Sequence, residues 1–75
     1  MTLSNVSVGK RVKIKDLKTD KNFRKKLMEL GLFPGQIIEI IQDAPFGGPM
    51  KIRVKDYCIA LRRDEASGIE VEEVE

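Results

Sequence analysis

Few residues of this chain could carry out chemistry. Histidine is absent and Cys58 is the single cysteine among 75 residues, so the chain has neither a Cys/His zinc site nor the base that usually activates a thiol. Asp64 and Glu65 are adjacent, but no histidine or lysine is arranged beside them, and general acid–base catalysis needs a perturbed pKa in a cleft. We predict that the protein is not an enzyme and has no catalytic residue, metal site or cofactor.

The glycine pair in DAPFGGPMKIRV, residues 43–54, is the one feature that could cradle a phosphate. A phosphate loop needs its glycines between a strand and a helix, followed by Lys and Ser or Thr. Here Gly47 and Gly48 precede Pro49, which lacks a backbone donor, and then an alternating, strand-like run. We therefore predict a wide loop between two strands, in which both glycines are free to take positive φ.

Two phenylalanines stand in predicted turns. Phe33 begins FPGQ, where Pro34 and Gly35 are typical of a type II turn, and Phe46 lies in the glycine loop. Such residues either cap the open ends of a small barrel or remain exposed for a partner. Both interpretations stay open. Cys58, in contrast, is predicted to be a small buried apolar residue of a strand.

Alternating apolar and polar residues predict the strands that must position these turns. Val12 and Ile14 face one way in the first strand, and Met50, Ile52 and Val54 do so in the third. Two isoleucine pairs break the alternation of the second strand, which indicates either two covered faces or a bulge. The predicted strands cover residues 9–17, 36–44, 50–56, 57–63 and 69–75, with a tight hairpin between the third and fourth.

One helix is predicted over residues 21–31. Thr19 or Asp20 is expected to cap its start. Phe23, Leu27 and Leu30 recur at helical spacing and are predicted to face the core together. The residues after them are expected to end the helix, with a glycine in the left-handed conformation and an apolar residue folding back on the last turn, namely Gly31 and Leu32.

These elements predict a mostly β fold: one domain, residues 1–75, forming a small, partly open five-stranded barrel. Curling removes most of the exposed edges of so short a sheet, and the helix inserted after the first strand is expected to plug one end. No apolar run approaches the roughly 18 residues that span a membrane, and the N-terminus lacks a secretory pattern. With one cysteine, a reducing cytoplasm is the expected compartment.

Charge is distributed unevenly along the chain. Residues 1–30 carry nine Lys/Arg and three Asp/Glu, residues 31–63 five and three, and residues 64–75 none and six, so the net charges +6, +2 and −6 sum to +2. Opposite ends of this kind are predicted to meet as neighbouring strands. The alternative is a nucleic-acid-binding barrel that uses the basic first half, although the acidic end and the scarcity of aromatics argue against it.

Three blocks of the chain resemble the FeoA family, the cytosolic companion of the ferrous iron transporter FeoB. They are KLMELGLFPG at 26–35, APFGGPMKIRV at 44–54 and IALRRDEASGIEVE at 59–72. The residues that match the first and third patterns include Leu27, Leu30, Gly31, Ala60, Leu61, Arg62, Glu65 and Ala66. Asp56 departs from the family pattern because it stands where glycine is common, so it must tolerate a turn conformation.

The resemblance implies an SH3-like barrel, also found at the C-terminus of DtxR-type repressors, that supports iron uptake by binding the cytoplasmic, GTP-binding part of FeoB. Neither nucleic-acid binding nor membrane insertion is expected, and the chain is expected to be a monomer. The predicted partner-binding residues lie in the two turns and in the basic part of the helix: Arg24, Lys25, Lys26, Leu32, Phe33, Pro34, Gly35, Pro45, Phe46, Gly47, Gly48 and Pro49.

Overall fold

A computed structural model describes residues 1–44 and 46–74. After a short 3-10 turn at Leu3–Asn5 come β1 (Arg11–Leu17), α1 (Lys21–Glu29), β2 (Ile37–Asp43), β3 (Met50–Val54), β4 (Tyr57–Leu61), α2 (Arg63–Ala66) and β5 (Ile69–Glu73). The strands form one antiparallel sheet in the order β4-β3-β2-β1-β5. The predicted mostly β fold, with an unclosed sheet and a helix after the first strand, is confirmed.

The core lies on the inner face of the curled sheet, where alternation predicted it. Val12 and Ile14 of β1 and the three apolar residues of β3 are buried. Residues from every strand meet there because each strand has one apolar face. The other buried apolar residues are Leu3, Val6, Leu17, Leu27, Leu32, Ile38, Ile40, Leu61, Ala66, Ile69 and Val71.

A bulge in β2 explains its two isoleucine pairs. The pairing with β3 is regular from Ile38 to Ile40 and then shifts before Gln42, so Ile41 is the extra residue of the strand. A bulge re-aims the side chains that follow it. Of the two interpretations open from the sequence, the bulge is therefore the one that the structure supports.

Helix α1 begins as predicted but ends earlier. The Asp20 side chain accepts a hydrogen bond from the Phe23 N–H at 2.8 Å and caps the helix. Leu27 is fully buried and Phe23 packs against the core from a half-buried position. The prediction for Leu30 is wrong: its side chain is exposed, because α1 stops at Glu29 and Leu30 has φ −85° and ψ 0°.

The opposite charges at the two ends of the chain meet as predicted, since β1 pairs with β5. Lys13 lies 3.8 Å from the Glu72 carboxylate, and the Met1 ammonium lies 3.0 Å from that of Glu70. The hydrogen bond from Met1 lowers the pKa of the Glu70 carboxyl. Both pairs are solvent-exposed, so they contribute little to the stability of the fold.

Strand β4 corrects two expectations. Cys58 is exposed and not buried, because alternation along β4 turns Ile59 and Leu61 toward the core and Cys58 and Ala60 away from it. In the β3–β4 hairpin the positive φ falls on Lys55, at 57°, and not on Asp56. Asp56 therefore does not carry the conformation for which glycine would be favoured.

Candidate functional site

The two predicted partner-binding turns lie at opposite ends of β2. The first turn, residues 31–36, precedes Ile37, and the glycine loop, residues 44–49, follows Asp43. Seven residues of strand separate them by about 20 Å. The structure therefore does not bring Phe33 and Phe46 into one small patch.

Hydrogen bonds hold the first turn firmly to the sheet. The Gln36 N–H donates to the Phe33 carbonyl at 3.1 Å, and Gly35 has φ +97°, which confirms the predicted type II turn. The Gly35 N–H donates to the Ile14 carbonyl at 2.8 Å, and the Ile14 N–H donates to the Gln36 carbonyl at 2.9 Å. The turn thus extends the β1–β2 ladder.

The end of α1 is part of the same assembly. Gly31 has φ +93°, and the Leu32 N–H folds back to the Leu27 carbonyl at 2.9 Å, as predicted. The Tyr57 hydroxyl donates to the Leu30 carbonyl and connects this segment to β4. Leu30, Phe33 and Tyr57 are each 37–40% exposed. Leu30 and Tyr57, joined by this hydrogen bond, leave a partly exposed apolar surface at this end of the sheet.

Among its described residues, the glycine loop has one backbone hydrogen bond, at its base. The Ala44 N–H donates to the Pro49 carbonyl at 3.4 Å, a long hydrogen bond. Phe46 is fully exposed, at 104%, and has φ +60°, so the interpretation of Phe46 as a barrel cap is wrong. Gly47 takes a positive φ of 77°, whereas Gly48 does not. Pro45, also a predicted contact residue, lies outside the described residues.

The basic residues of α1 differ in their availability. The Arg24 guanidinium donates to the Leu17 carbonyl at 2.8 Å, at the end of β1. Arg24 therefore ties the helix to the sheet. Lys25 and Lys26 are exposed. Of the three basic residues predicted to contact a partner, these two are the ones whose side chains are not bonded to the sheet.

The third sequence block has a structural role. The Glu65 carboxylate accepts a hydrogen bond from the Arg62 N–H at 2.8 Å, which caps α2, and Ala66 is buried. Arg63, which sequence reasoning missed, forms an ion pair with Asp43 at the base of the glycine loop. No local pattern indicates this contact, because its partner lies 20 residues away.

Neither metal chemistry nor nucleic-acid binding gains support from the arrangement. Within residues 1–44 and 46–74, no three Cys, Asp or Glu side chains converge as metal ligands. The acidic strand β5 lies directly beside basic β1, with Glu72 opposite Lys13, so the positive charge of β1 is partly offset where a nucleic acid would need it. In the same described part of the chain, no helix is both long and apolar enough to cross a membrane.

Comparison with known proteins gives a consistent family. The FeoA domain model matches residues 1–73. A Porphyromonas gingivalis protein, the Fe(2+) transport protein A/Fe(2+) transporter FeoB fusion protein, is 38% identical over 72 residues. That match covers 96% of this chain but 8% of the fusion protein.

Solved structures share the fold. The FeoA protein of Chlorobium tepidum has a TM-score of 0.93 at 31% identity and covers 100% of this chain and 71% of its own. The zinc complex of Stenotrophomonas maltophilia FeoA, described as an SH3 domain protein, has a TM-score of 0.79 at 28% identity, covering 96% and 89%.

The fold alone extends to a regulator. The manganese regulator SloR has a TM-score of 0.85 at 19% identity over 99% of this chain and 34% of its own. This likeness agrees with the expectation that repressors carry the same barrel. Since the family model spans residues 1–73 and the Chlorobium tepidum FeoA protein is 31% identical over the whole chain, the protein belongs to the FeoA domain family, which is linked to ferrous iron transport.

Proposed function

We propose that this protein is a non-catalytic module that binds the cytoplasmic part of a FeoB-type ferrous iron transporter and modulates its GTP-binding region. The observation that carries the proposal is the fusion in Porphyromonas gingivalis, in which a segment 38% identical to this chain is covalently joined to FeoB. Covalent linkage raises the effective concentration of two modules to the millimolar range. Fusion is favourable when the two modules act on each other.

The glycine loop offers the best contact residue. The Phe46 side chain is fully exposed, so its burial does not stabilise the fold. Its backbone also has a positive φ that non-glycine residues rarely adopt. Exposed aromatics of this kind become binding anchors when a partner removes them from water. We therefore assign the main contact to Phe46, with Gly47 to Pro49 allowing close backbone approach.

The first turn has a secondary role in this proposal. Phe33 is 37% exposed and belongs to a hydrogen-bonded turn, so its substitution affects stability as well as binding. Lys25 and Lys26 are exposed on α1 and are suited to steering an acidic partner surface, an effect that appears in association rates.

The experiment measures binding of the purified chain to the cytoplasmic domain of FeoB from the same organism by biolayer interferometry. Loss of an aromatic anchor weakens binding by about tenfold or more. We expect this loss for Phe46→Ala without a change in thermal stability. Phe33→Ala, at the other end of β2, is the matched control and has a smaller effect on affinity.

Two results would contradict the proposal. If the unchanged chain does not bind the domain, and does not alter GTP hydrolysis by full-length FeoB in nanodiscs, the adaptor function is wrong. If binding occurs but Phe46→Ala binds as tightly as the parent, the function stands and the assignment of the contact to Phe46 fails.

A further inference from the structure

The outer edge of β4 is unprotected. β4 lies at one end of the sheet order and pairs only with β3. In the described part of the chain, its backbone makes no hydrogen bond outside that ladder. The opposite edge differs, because Thr2 forms a bridge to Glu70 and the Val71 N–H donates to the Met1 carbonyl at 2.8 Å. β4 also lacks the charges, prolines and bulges that normally block edge pairing.

The free backbone groups can be assigned from the hairpin. Val54 pairs with Tyr57 across a two-residue turn, and the closing pair of such a hairpin exchanges both of its hydrogen bonds. Bonded and non-bonded pairs then alternate, so Cys58 and Ala60 are not bonded to β3. Their N–H and C=O groups therefore point to the free edge, two donors and two acceptors in a row.

The outward-facing side chains of β4 are small, so they leave the long basic side chains of β3 accessible from the edge. Cys58 lies opposite Arg53 and Ala60 opposite Lys51, and all four are exposed. A strand added beside β4 would lie about 10 Å from β3, within reach of long side chains that cross over the small Cys58 and Ala60. Arg53 also lies 3.5 Å from the Glu39 carboxylate on β2, so the positive charge that such a strand would meet on the outer face comes mainly from Lys51.

We propose that the β4 edge binds an extended segment with acidic residues at two alternate positions and an apolar residue between them. The acidic residues would lie opposite Cys58 and Ala60 and meet Arg53 and Lys51. The apolar residue would lie opposite Ile59, which is only partly buried and packs against the core at the open edge. The β4 edge of a second copy fits less well, because Tyr57–Leu61 carries no acidic side chain that could meet these cations.

This inference goes beyond the proposed function, since it concerns a second surface and its test needs no transporter. The probe is the capped peptide acetyl-TEVET-amide, titrated into the ¹⁵N-labelled chain and followed by NMR. We expect shifts concentrated at the amides of Cys58 and Ala60, and weaker binding at 0.5 M than at about 0.05 M salt because exposed charge pairs are screened. The reversed-charge peptide acetyl-TKVKT-amide is the matched control and should not bind.

Two variants locate the site. Ala60→Pro removes an edge donor without removing a bond to β3 and should weaken peptide binding by about tenfold. Lys51→Glu changes only an exposed side chain, so it keeps the fold even if Ala60→Pro does not, and should weaken binding about fivefold.

Several outcomes would overturn the proposal. They are no shifts with the acidic peptide, equal shifts with the lysine peptide, or shifts that map away from β4. Concentration-dependent sedimentation of the unchanged chain, abolished by Ala60→Pro and unaccompanied by peptide binding, would assign the edge to a second copy instead.

Discussion

The first turn and the glycine loop have similar compositions but are built into the molecule in opposite ways. Each contains phenylalanine, proline and glycine and each adjoins β2. Yet the first turn is bonded to β1 and α1, and the adjacent Leu30 to β4, whereas the described residues of the glycine loop have one long hydrogen bond at its base. The same residue types can therefore stabilise the fold at one end of a strand and remain available to a partner at the other.

The largest expected effect is a loss of stability on substitution beside the first turn. Leu32→Ala removes a side chain that is fully buried beside the first turn, so it leaves a cavity and should lower the free energy of unfolding by about 2–5 kcal/mol. Urea denaturation monitored by circular dichroism measures this value. A loss below about 1 kcal/mol would mean that the first turn is not part of the core.

The glycines of the two regions give a matched pair of variants. A Cβ at Gly31 would overlap the Tyr57 hydroxyl, whereas one at Gly47 meets nothing within 4 Å, although both residues have positive φ. Gly47→Ala should therefore cost about 1 kcal/mol from backbone strain alone, and Gly31→Ala clearly more. Thermal unfolding of both variants tests this order, and equal losses would contradict it.

Removal of the Tyr57 hydroxyl isolates one connection of the first turn. Tyr57→Phe loses the hydrogen bond to the Leu30 carbonyl, which should cost about 1 kcal/mol in the free energy of unfolding. In the Gly31→Ala background the cost should shrink or reverse, because the overlap with the hydroxyl disappears. A double-mutant cycle measures this coupling, and additive effects would refute the contact.

The smallest effect on stability is expected in the glycine loop. Phe46→Ala removes a fully exposed side chain, so the free energy of unfolding should stay within about 0.5 kcal/mol of the parent. Chemical denaturation provides the measurement. A substantial loss would show that Phe46 packs in solution and would remove the contrast between the two regions.

Much of the fold follows from local patterns. The alternation in β1 and β3, the Asp20 cap and the Gly31 helix end are each decided by residues next to one another, so sequence reasoning predicts them. The failures have non-local causes. Alternation places Cys58 on one face of β4 but cannot show that this face is left uncovered, and the exposure of Leu30 follows from where α1 stops.

The candidate site was less predictable than the fold. Motif matching selects the first turn and the glycine loop together, but only the strand between them shows that they are about 20 Å apart. Arg24 and Lys25 are equivalent as cations in the sequence, and the contact of Arg24 with the Leu17 carbonyl separates their roles. The ion pair of Arg63 with Asp43 has no sequence signature at all.

The pairing of β1 with β5 has a consequence for the order in which the chain folds. The strands β2, β3 and β4 are joined by short connections and can pair as soon as each is synthesised, whereas β1 must wait for its second partner, β5, which appears more than 50 residues later. Contacts so distant in sequence slow folding, because a long loop has to close before they form. The sheet is thus completed only after β5 has been synthesised, and until then β1 is paired along one edge alone, with β2.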